Sequence, residues 1–229
     1  MPDATRIILV QYGPPETVLL LTSALIGLKK IYNHSKVLWV GEPQYFSIIK
    51  FDKRIHKKLN IHKGSDLASL TYFYGSDICY NPSMHKTACT FASITGSKYI
   101  FGFNKNGPTS KSAEFFQKVM SGNLRTCKTI LELYYGLANI RWNGEGYGLT
   151  YYPSTKQNKD VGVCMKKPTE TNEQFCTTND YPELLNLINQ YKKIITDNLL
   201  VAHMSLSLRK KVEFHGFLTY KLNFGCHIV

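Results

Sequence analysis

Short apolar runs alternate with longer amphipathic segments along the first half of the chain. Residues 6–11 (RIILVQ) and 36–41 (KVLWVG) are apolar and rich in β-branched side chains, as in buried parallel strands. Between them, residues 18–30 have the apolar spacing of a helix, and Lys29 and Lys30 in its last turn suit the negative end of the helix dipole. The pattern therefore predicts a βαβ unit.

The alternation then repeats. The elements predicted next are a strand end at 76–80 (SDICY), a helix at 84–96 closed by a glycine, a strand at 98–103 (KYIFGF), and helices at 110–120 and 124–137. Together with the βαβ unit, these elements predict a first α/β lobe over residues 1–150.

A segment without regular periodicity leads into a second pattern. Residues 142–159 are rich in glycine, aromatic and polar residues, which predicts a linker or a functional loop. The elements predicted after it are strands at 161–165, 193–197 and 210–216, a helix at 181–190, and a helix between the last two strands. These elements predict a small second lobe over residues 151–229.

The expected fold class is therefore α/β, with two Rossmann-like lobes of which the second is small. In such folds, ligands bind beyond the carboxyl ends of the strands, where the strand order reverses. Two lobes that face one another leave a cleft between these edges. Polar residues at the strand-to-helix junctions are therefore the candidates for a site.

The charge balance indicates an anionic partner. The chain of 229 residues has 28 Lys+Arg against 16 Asp+Glu, a formal net charge of +12. A strongly basic surface usually meets nucleic acid, a membrane surface or a phosphorylated substrate. A solvated basic surface with no partner is the alternative, since net charge alone defines no site.

Cysteine usage and hydropathy indicate the compartment. The six cysteines are scattered, with no C-x-x-C pair, which favours buried free thiols in a reducing compartment over zinc or disulfides. The longest apolar run, residues 18–28, is shorter than the roughly 20 residues that cross a bilayer, and no basic leader precedes it. We therefore expect a cytoplasmic protein without signal peptide or anchor.

The strand-like run at 192–196 is followed by an acid, a gap of five residues and a histidine. Asp197 stands at the end of the strand and can cap the following helix, whose free N–H groups and dipole favour a phosphate. His203 can reach the same ligand if residues 198–201 form a loop and the helix begins later. The alternative is a plain N-cap with a buried histidine.

The first lobe has two comparable junctions. Glu16 lies at the start of the first helix, where it can act as a general base or simply as a capping acid. Asn81, His85 and Lys86 cluster after the strand that ends near residue 80. A lone histidine in such a place is more often structural than catalytic.

Lysines follow other predicted strands. Lys166 and Lys167 come just after the first strand of the second lobe, where a lysine can hold a diphosphate as a point charge, or belong to a solvated loop. Lys105 lies in a turn after the strand at 98–103. His56 and His62 are flanked by lysines rather than by carboxylates or thiols, so we expect no metal site there.

The order of elements resembles the heptosyltransferase-like glycosyltransferases, family 9, of GT-B architecture. The segments that carry the resemblance are RIILVQYG, LLLTSALIGLKK, KVLWVGEP, SDICYNPSMHKTACTFASITGSKYIFGF and IITDNLLVAHMSLSLRKKVEFHG. The first of them resembles the family's first strand and loop, and the last resembles its Asp…His segment at the sugar-nucleotide diphosphate.

The resemblance implies transfer of a sugar from a nucleotide diphosphate to a hydroxyl acceptor without a metal or other cofactor. It places the acceptor on the first lobe, with Asn81, His85 and Lys86, and the donor on the second. Carried over, Asp197, Asn198 and His203 match the donor segment, and Lys166 or Lys167 a phosphate-binding loop.

The chain departs from the family in three ways. GPPET at residues 13–17 replaces the family's Gly–Asp pair, so Glu16 is the nearest candidate base although Thr17 falls at the position of the acid. The spacing from Asp197 to His203 is one residue longer than usual, and a glycine between them is missing. The second lobe is much shorter, so we expect some donor-binding strands to be absent.

Three functions remain open from the sequence. The first is a glycosyltransferase acting on a phosphorylated glycolipid or polysaccharide, as in lipopolysaccharide biosynthesis, with peripheral contact to an anionic inner membrane face. The second is a non-catalytic relative that holds an anionic saccharide. The third is a nucleic-acid-directed protein, which the charge permits but no zinc-finger or RNA-recognition motif supports.

Overall fold

Two β-sheets, parallel except for one pair of strands, form the framework of the computed structural model. The structure describes residues 4–62, 70–71, 73–109, 112–115, 117, 129–152, 154–165, 173–175, 177–216 and 226–228. The strands in chain order are β1 (Arg6–Val10), β2 (Lys36–Gly41), β3 (Lys57–Asn60), β4 (Ile78–Asn81), β5 (Tyr99–Asn104), β6 (Gly107–Pro108), β7 (Lys159–Cys164), β8 (Glu173–Gln174), β9 (Tyr191–Thr196), β10 (Lys211–Phe214) and β11 (Cys226–Ile228).

Helices connect most of these strands. They are α1 (Glu16–Ile31), α2 (Lys86–Ile94), α3 (Ile130–Leu137), α4 (Tyr181–Asn189) and α5 (Leu199–Ser207). A 3-10 turn covers Pro43–Tyr45, and residues 112–115 are also helical. The helices predicted at 18–30, 84–96 and 181–190 are confirmed. Those predicted at 110–120 and 124–137 lie partly outside the described residues.

The two sheets have Rossmann-like strand orders. The first has the order β3-β2-β1-β4-β5-β6, with every pairing parallel except that of β5 with β6. The second has the order β11-β10-β9-β7-β8 and is parallel throughout. The strand order reverses between β1 and β4 in the first sheet and between β7 and β9 in the second. These are the positions where such folds bind ligands.

Some strands escaped prediction from the pattern. The sequence pattern at β3 indicates only a basic run, whereas the structure shows a strand there that pairs in parallel with β2. The second sheet contains five parallel strands, although β8 and β11 span only residues 173–174 and 226–228. The topology therefore gives no support to the expectation that strands are absent from this lobe.

Strand β1 explains how both faces of the first sheet are covered. Ile7 and Leu9 point into the core that contains α1, whereas Ile8 and Val10 point into a second core that contains α2. All four side chains are fully buried. This burial on both faces explains the continuous apolar character of the strand.

The larger core continues from one lobe into the other. It contains residues of β1, β2 and α1 from the first lobe, and residues of α4, β9 and α5 from the second. Helices α1 and α5 are in contact. The two sheets are therefore joined by a shared apolar interior.

The segment between the lobes is irregular, as predicted, and is fastened to both. The Ser23 hydroxyl on α1 donates to the carbonyl of Gly146 at 2.9 Å. The Thr155 hydroxyl donates to the carbonyl of Asn186 on α4, also at 2.9 Å. The predicted division at residue 150 falls inside this segment.

Tyr147 connects the same segment to α5. Its hydroxyl lies 2.5 Å from Nδ1 of His203, and the two rings meet edge to face. His203 is fully buried, and burial lowers its pKa to about 3. The imidazole is therefore neutral at physiological pH.

Cysteine chemistry and membrane topology complete the description. Cys79, Cys89 and Cys164 are free and buried, which confirms the prediction of buried thiols for these three. Within the described ranges, none of the helices combines the length and apolar character needed to span a bilayer.

Replacing Gly102 with alanine should destabilise the fold strongly. Gly102 has φ +85°, and a Cβ there would lie 2.0 Å from the carbonyl oxygen of Asn81 on the neighbouring strand. We expect the free energy of unfolding to fall by about 3 kcal/mol or more, measured by urea denaturation. Gly144 has φ +90° in open space, so Gly144→Ala should cost only about 1 kcal/mol. Equal losses would contradict the steric explanation.

His203 should make the protein sensitive to acid. Because its folded pKa lies below its unfolded value, the unfolded state gains a proton first as the pH falls. The free energy of unfolding should therefore decrease by about 1 kcal/mol per pH unit from about pH 6 to pH 4. His203→Asn keeps an acceptor for Tyr147 and should show a shallower slope in thermal unfolding at several pH values. An unchanged slope would show that other groups cause the acid sensitivity.

Candidate functional site

The loops after β1, β3 and β4 meet at the carboxyl edge of the first sheet. The ring of Tyr12 stacks on His85, with centroids 4.1 Å apart and planes 16° from parallel. His62 meets Tyr12 edge-on at 5.7 Å. This aromatic group spans the reversal point between β1 and β4, and sequence reasoning missed the part of Tyr12.

The loop between β1 and α1 is held by side chains from two strands. Gln11 is buried, and its Nε2 donates to the Gly13 carbonyl at 3.2 Å and to the Thr17 hydroxyl at 3.1 Å. Glu42, just after β2, accepts from the Gly13 N–H at 3.0 Å. Gly13 has φ +115°, a conformation that favours glycine. Sequence reasoning did not identify Gln11 or Glu42, although each is a polar residue directly after a buried strand.

Thr17 takes part in the same loop. Its hydroxyl donates to the Pro14 carbonyl at 2.7 Å and accepts from Gln11. The hydroxyl proton of Thr17 is therefore used in a hydrogen bond within the turn, and its side chain has no carboxyl group. In this structure Thr17 therefore shapes the loop, and its catalytic role stays a prediction from the sequence.

Glu16 is the first residue of α1 and lies where the two lobes meet. Its Oε2 is buried and makes no hydrogen bond to any residue that the structure describes. Burial raises the pKa of this carboxyl group, and a hydrogen bond from its own backbone partly offsets the rise. The carboxyl group therefore keeps its proton to a higher pH than an exposed glutamate does.

Glu16 of the first lobe interacts with Tyr181 of the second lobe. Tyr181 is the first residue of α4, and burial, then Tyr45 and Glu16, raise the pKa of its hydroxyl. The rings of Tyr45 and Tyr181 lie 5.8 Å apart. No local pattern in the sequence predicts this contact, because the two tyrosines lie in different lobes.

The residues predicted to bind an acceptor separate into two kinds. Asn81 is fully buried, with Nδ2 donating to the Phe103 carbonyl at 2.9 Å and Oδ1 accepting from the Ser83 N–H at 3.0 Å. This position contradicts its expected contact with an acceptor and gives it a structural role. His85 and Lys86 are exposed, and Nδ1 of His85 caps α2 by accepting from the Thr87 N–H at 3.3 Å.

The reversal point of the second sheet lies at the ends of β7 and β9. The Thr196 hydroxyl donates to the Cys164 carbonyl at 2.7 Å and accepts from the Asn198 N–H at 3.0 Å. Asn198, not Asp197, is the N-cap of α5, because its Oδ1 accepts from the Val201 N–H at 3.1 Å. Asp197 is half-buried one residue earlier.

His203 does not face this junction. Helix α5 begins at Leu199, so residues 198–201 do not form the loop that would bring the imidazole to a ligand. The side chain is fully buried against Tyr147, and Nε2 has no hydrogen-bond partner among the described residues. The expectation that His203 binds the donor is therefore corrected to a structural role, which is the alternative of a capped helix with a buried histidine.

Two further expectations concern lysines and metals. Lys166 and Lys167 lie outside the described residues. Over the ranges that the structure describes, no three His, Cys, Asp or Glu side chains converge in a way that could hold a metal ion.

Comparisons with known proteins identify the fold. No protein-family model matches the sequence, and no curated protein matches it. Among solved structures, the glycosyl transferase family 9 protein from Veillonella parvula is similar at a TM-score of 0.68 and 10% identity, covering 99% of this chain and 85% of the other. E. coli ADP-heptose lps heptosyltransferase II is similar at a TM-score of 0.70 and 9% identity, covering 98% and 90%.

A ligand-bound structure is also similar. E. coli heptosyltransferase WaaC with ADP-2-deoxy-2-fluoro heptose aligns at a TM-score of 0.62 and 12% identity, covering 98% of this chain and 93% of the other. At such identities the likeness concerns the fold. The chain therefore has the GT-B-like fold of the heptosyltransferase-like glycosyltransferases of family 9, with two Rossmann-like lobes.

Proposed function

We propose that this chain is a glycosyltransferase that moves a sugar from a nucleotide-diphosphate donor to a hydroxyl acceptor. The observation that carries the proposal is the buried, unbonded Oε2 of Glu16 at the meeting point of the two lobes. The fold supplies the setting, because its reversal points are where nucleotide ligands bind. The structurally similar WaaC structure contains an ADP-sugar analogue, which supports a nucleoside diphosphate sugar as donor.

Glu16 is the proposed general base. Burying a carboxylate oxygen without a hydrogen bond costs stability, and such costs are characteristic of functional sites. The raised pKa brings Glu16 closer to neutral pH, where a base transfers protons most efficiently. In this role it takes the proton from the acceptor hydroxyl as that oxygen attacks the sugar.

The donor diphosphate is proposed to bind at the second reversal point. The N-terminus of α5 lies there, capped by Asn198, and its dipole favours the negative charge that develops on the leaving group. Asp197 precedes this cap. Lys166 and Lys167 follow β7 in the sequence, and we propose them as point charges for the same diphosphate.

The acceptor is proposed to be anionic and to bind the first lobe. The net charge of +12 favours a phosphorylated glycolipid or polysaccharide, as in lipopolysaccharide biosynthesis, and contact with an anionic membrane. His85 and Lys86 are exposed at the edge that also carries Glu16. Free buried thiols are consistent with the proposed cytoplasmic location. We propose that the reaction needs no metal.

Asp197→Ala should weaken donor binding and leave folding intact. A panel of UDP-, ADP- and GDP-sugars, tested in EDTA, should contain at least one that raises the melting temperature of the wild type and is slowly hydrolysed. We expect about a tenfold loss of affinity in the variant, because the Asp197 carboxylate is placed to accept a hydrogen bond from a sugar hydroxyl of the donor beside the proposed diphosphate site. Asp160→Ala is the control, since Asp160 is exposed at the opposite end of a strand of the same lobe.

The same panel separates the alternatives. Binding without hydrolysis or transfer would favour the non-catalytic relative. No response to any sugar nucleotide, with salt-dependent binding to DNA, would favour the nucleic-acid-directed protein. Normal donor binding by Asp197→Ala would contradict the assignment of the donor site.

Glu16→Gln should abolish most of the transfer and leave the protein at least as stable. Removing a general base lowers kcat by about 10²–10⁴-fold, whereas removing an unbonded buried charge relieves a cost. In the wild type, kcat should rise with pH through the raised pKa of Glu16, because only the carboxylate accepts a proton. The measurements are initial rates over a pH series and thermal unfolding.

Glu114→Gln is the matched control, because Glu114 is exposed on the helical segment at 112–115. It should leave both the rate and its pH profile unchanged. A Glu16→Gln variant that keeps the wild-type rate would exclude Glu16 as the base.

A further inference from the structure

An open cavity lies beyond the carboxyl ends of β4 and β5 in the first sheet. It has a volume of about 420 Å³ and lies between the N-terminal half of α2 and the turn that joins β5 to β6. Its walls are mostly apolar and include Met84, Cys89, Phe103 and Pro108. None of these residues belongs to the site proposed for proton transfer or for the diphosphate.

The apolar side chains that line this open cavity can pack against a nonpolar group of a ligand. Met84 has 68% of its surface exposed, so it offers accessible apolar area to the cavity that it lines. Cys89 is buried, its thiol lies 3.3 Å from the Ser83 carbonyl as a weak donor, and burial raises its pKa. The thiol is therefore a chemically inert part of the wall.

The rim of the cavity carries positive charge. Lys86 and Lys105 both line it and are exposed, and neither forms an ion pair within the part of the chain that the structure describes. No carboxylate is found among the described residues that line the cavity. The positive end of the α2 dipole adds to the same field, since α2 begins at Lys86. The complementary ligand has an anionic group beside an apolar group.

The cavity lies on the same edge of the sheet as the proposed acceptor site. His85, which stacks on Tyr12, stands between Met84 and Lys86 in the sequence. Tyr12 in turn begins the loop that leads to Glu16. The cavity and the proposed base, Glu16, therefore both lie along the carboxyl edge of the first sheet, with His85 and Tyr12 between them.

We propose that this cavity is a binding subsite for an alkyl chain that carries a phosphate. The alkyl chain of the ligand lies against Met84 and Phe103, and its phosphate lies between Lys86 and Lys105. The role of this subsite rests on the proposed function: it holds the lipid-phosphate part of the acceptor while the hydroxyl lies at Glu16. Lys105, which has no part in the proposed chemistry, acquires a role in selecting the acceptor.

Decyl phosphate below its micelle concentration is the reagent that tests the proposal. The protein is labelled with ¹³C-methyl methionine, and Met84→Leu identifies the resonance of Met84. Titration should shift this resonance with saturation. Decyl phosphate should bind at least about tenfold more tightly than inorganic phosphate or decanol, because each supplies only half of the complementarity.

Two variants locate the binding. Thr90→Trp adds a large side chain at an exposed position of α2 that lines the cavity, so binding should be lost without loss of the fold. Lys105→Gln should weaken binding about threefold to fivefold, as expected for one exposed charge. Lys98→Gln is the matched control, because Lys98 is also exposed but precedes β5 whereas Lys105 follows it. It should leave the affinity unchanged.

Several results would overturn the proposal. They are equal affinity for inorganic phosphate and decyl phosphate, equal affinity for decanol and decyl phosphate, full binding by Thr90→Trp, and an equal loss in Lys98→Gln and Lys105→Gln. The proposed function fails separately. If decyl phosphate binds as expected while no sugar nucleotide does, the subsite stands as an alkyl-phosphate site and the transferase reaction is excluded.

Discussion

The burial of α1 between the two lobes is the interaction on which the rest of the structure depends. The first sheet covers one side of α1, and α5 of the second lobe contacts another side of the same helix. A helix at the surface has one polar face in water. Helix α1 is instead apolar around most of its circumference, which fits its burial against both lobes. Its first residue, Glu16, is half-buried, and the Oε2 atom is shielded from water. The same packing that stabilises the two lobes thus creates the unusual environment of the proposed base.

The second organising feature is the position of the two reversal points. A parallel strand delivers its carboxyl end to the same edge as its neighbours, so the loops after β1 and β4 must meet there. Gln11 and Glu42 hold the first loop in place, and Thr196 joins the strands that flank the second reversal point. These polar residues satisfy backbone groups that the end of each strand leaves unpaired. The proposed chemistry therefore stands on loops with defined geometry.

Much of the fold could be predicted from the sequence, and the misses have physical reasons. Strands β1 and β2 are apolar on both faces, so their pattern is strong. Strand β3 lies at the edge of the sheet and buries Leu59 beside two lysines, so its pattern resembles a surface loop. The shift of the helix cap from Asp197 to Asn198 reflects two neighbouring residues that cap equally well.

The site was harder to predict than the fold. Glu16 could be named as a candidate because it lies at the start of a helix, but its interaction with Tyr181 joins residues far apart in the sequence. His203 belongs to a helix that is buried on most sides, so periodicity indicates no inward face for it.

The linker has a consequence for motion. Residues 142–158 bind α1 through Ser23 and Gly146, and bind the second lobe through Tyr147 and Asn186. Rotating one lobe away from the other would break these bonds and wet part of the common interior, a free-energy penalty that grows with the angle. A ligand that enters the cleft should therefore do so by rearrangement of the rim loops, with the two sheets retaining their mutual orientation.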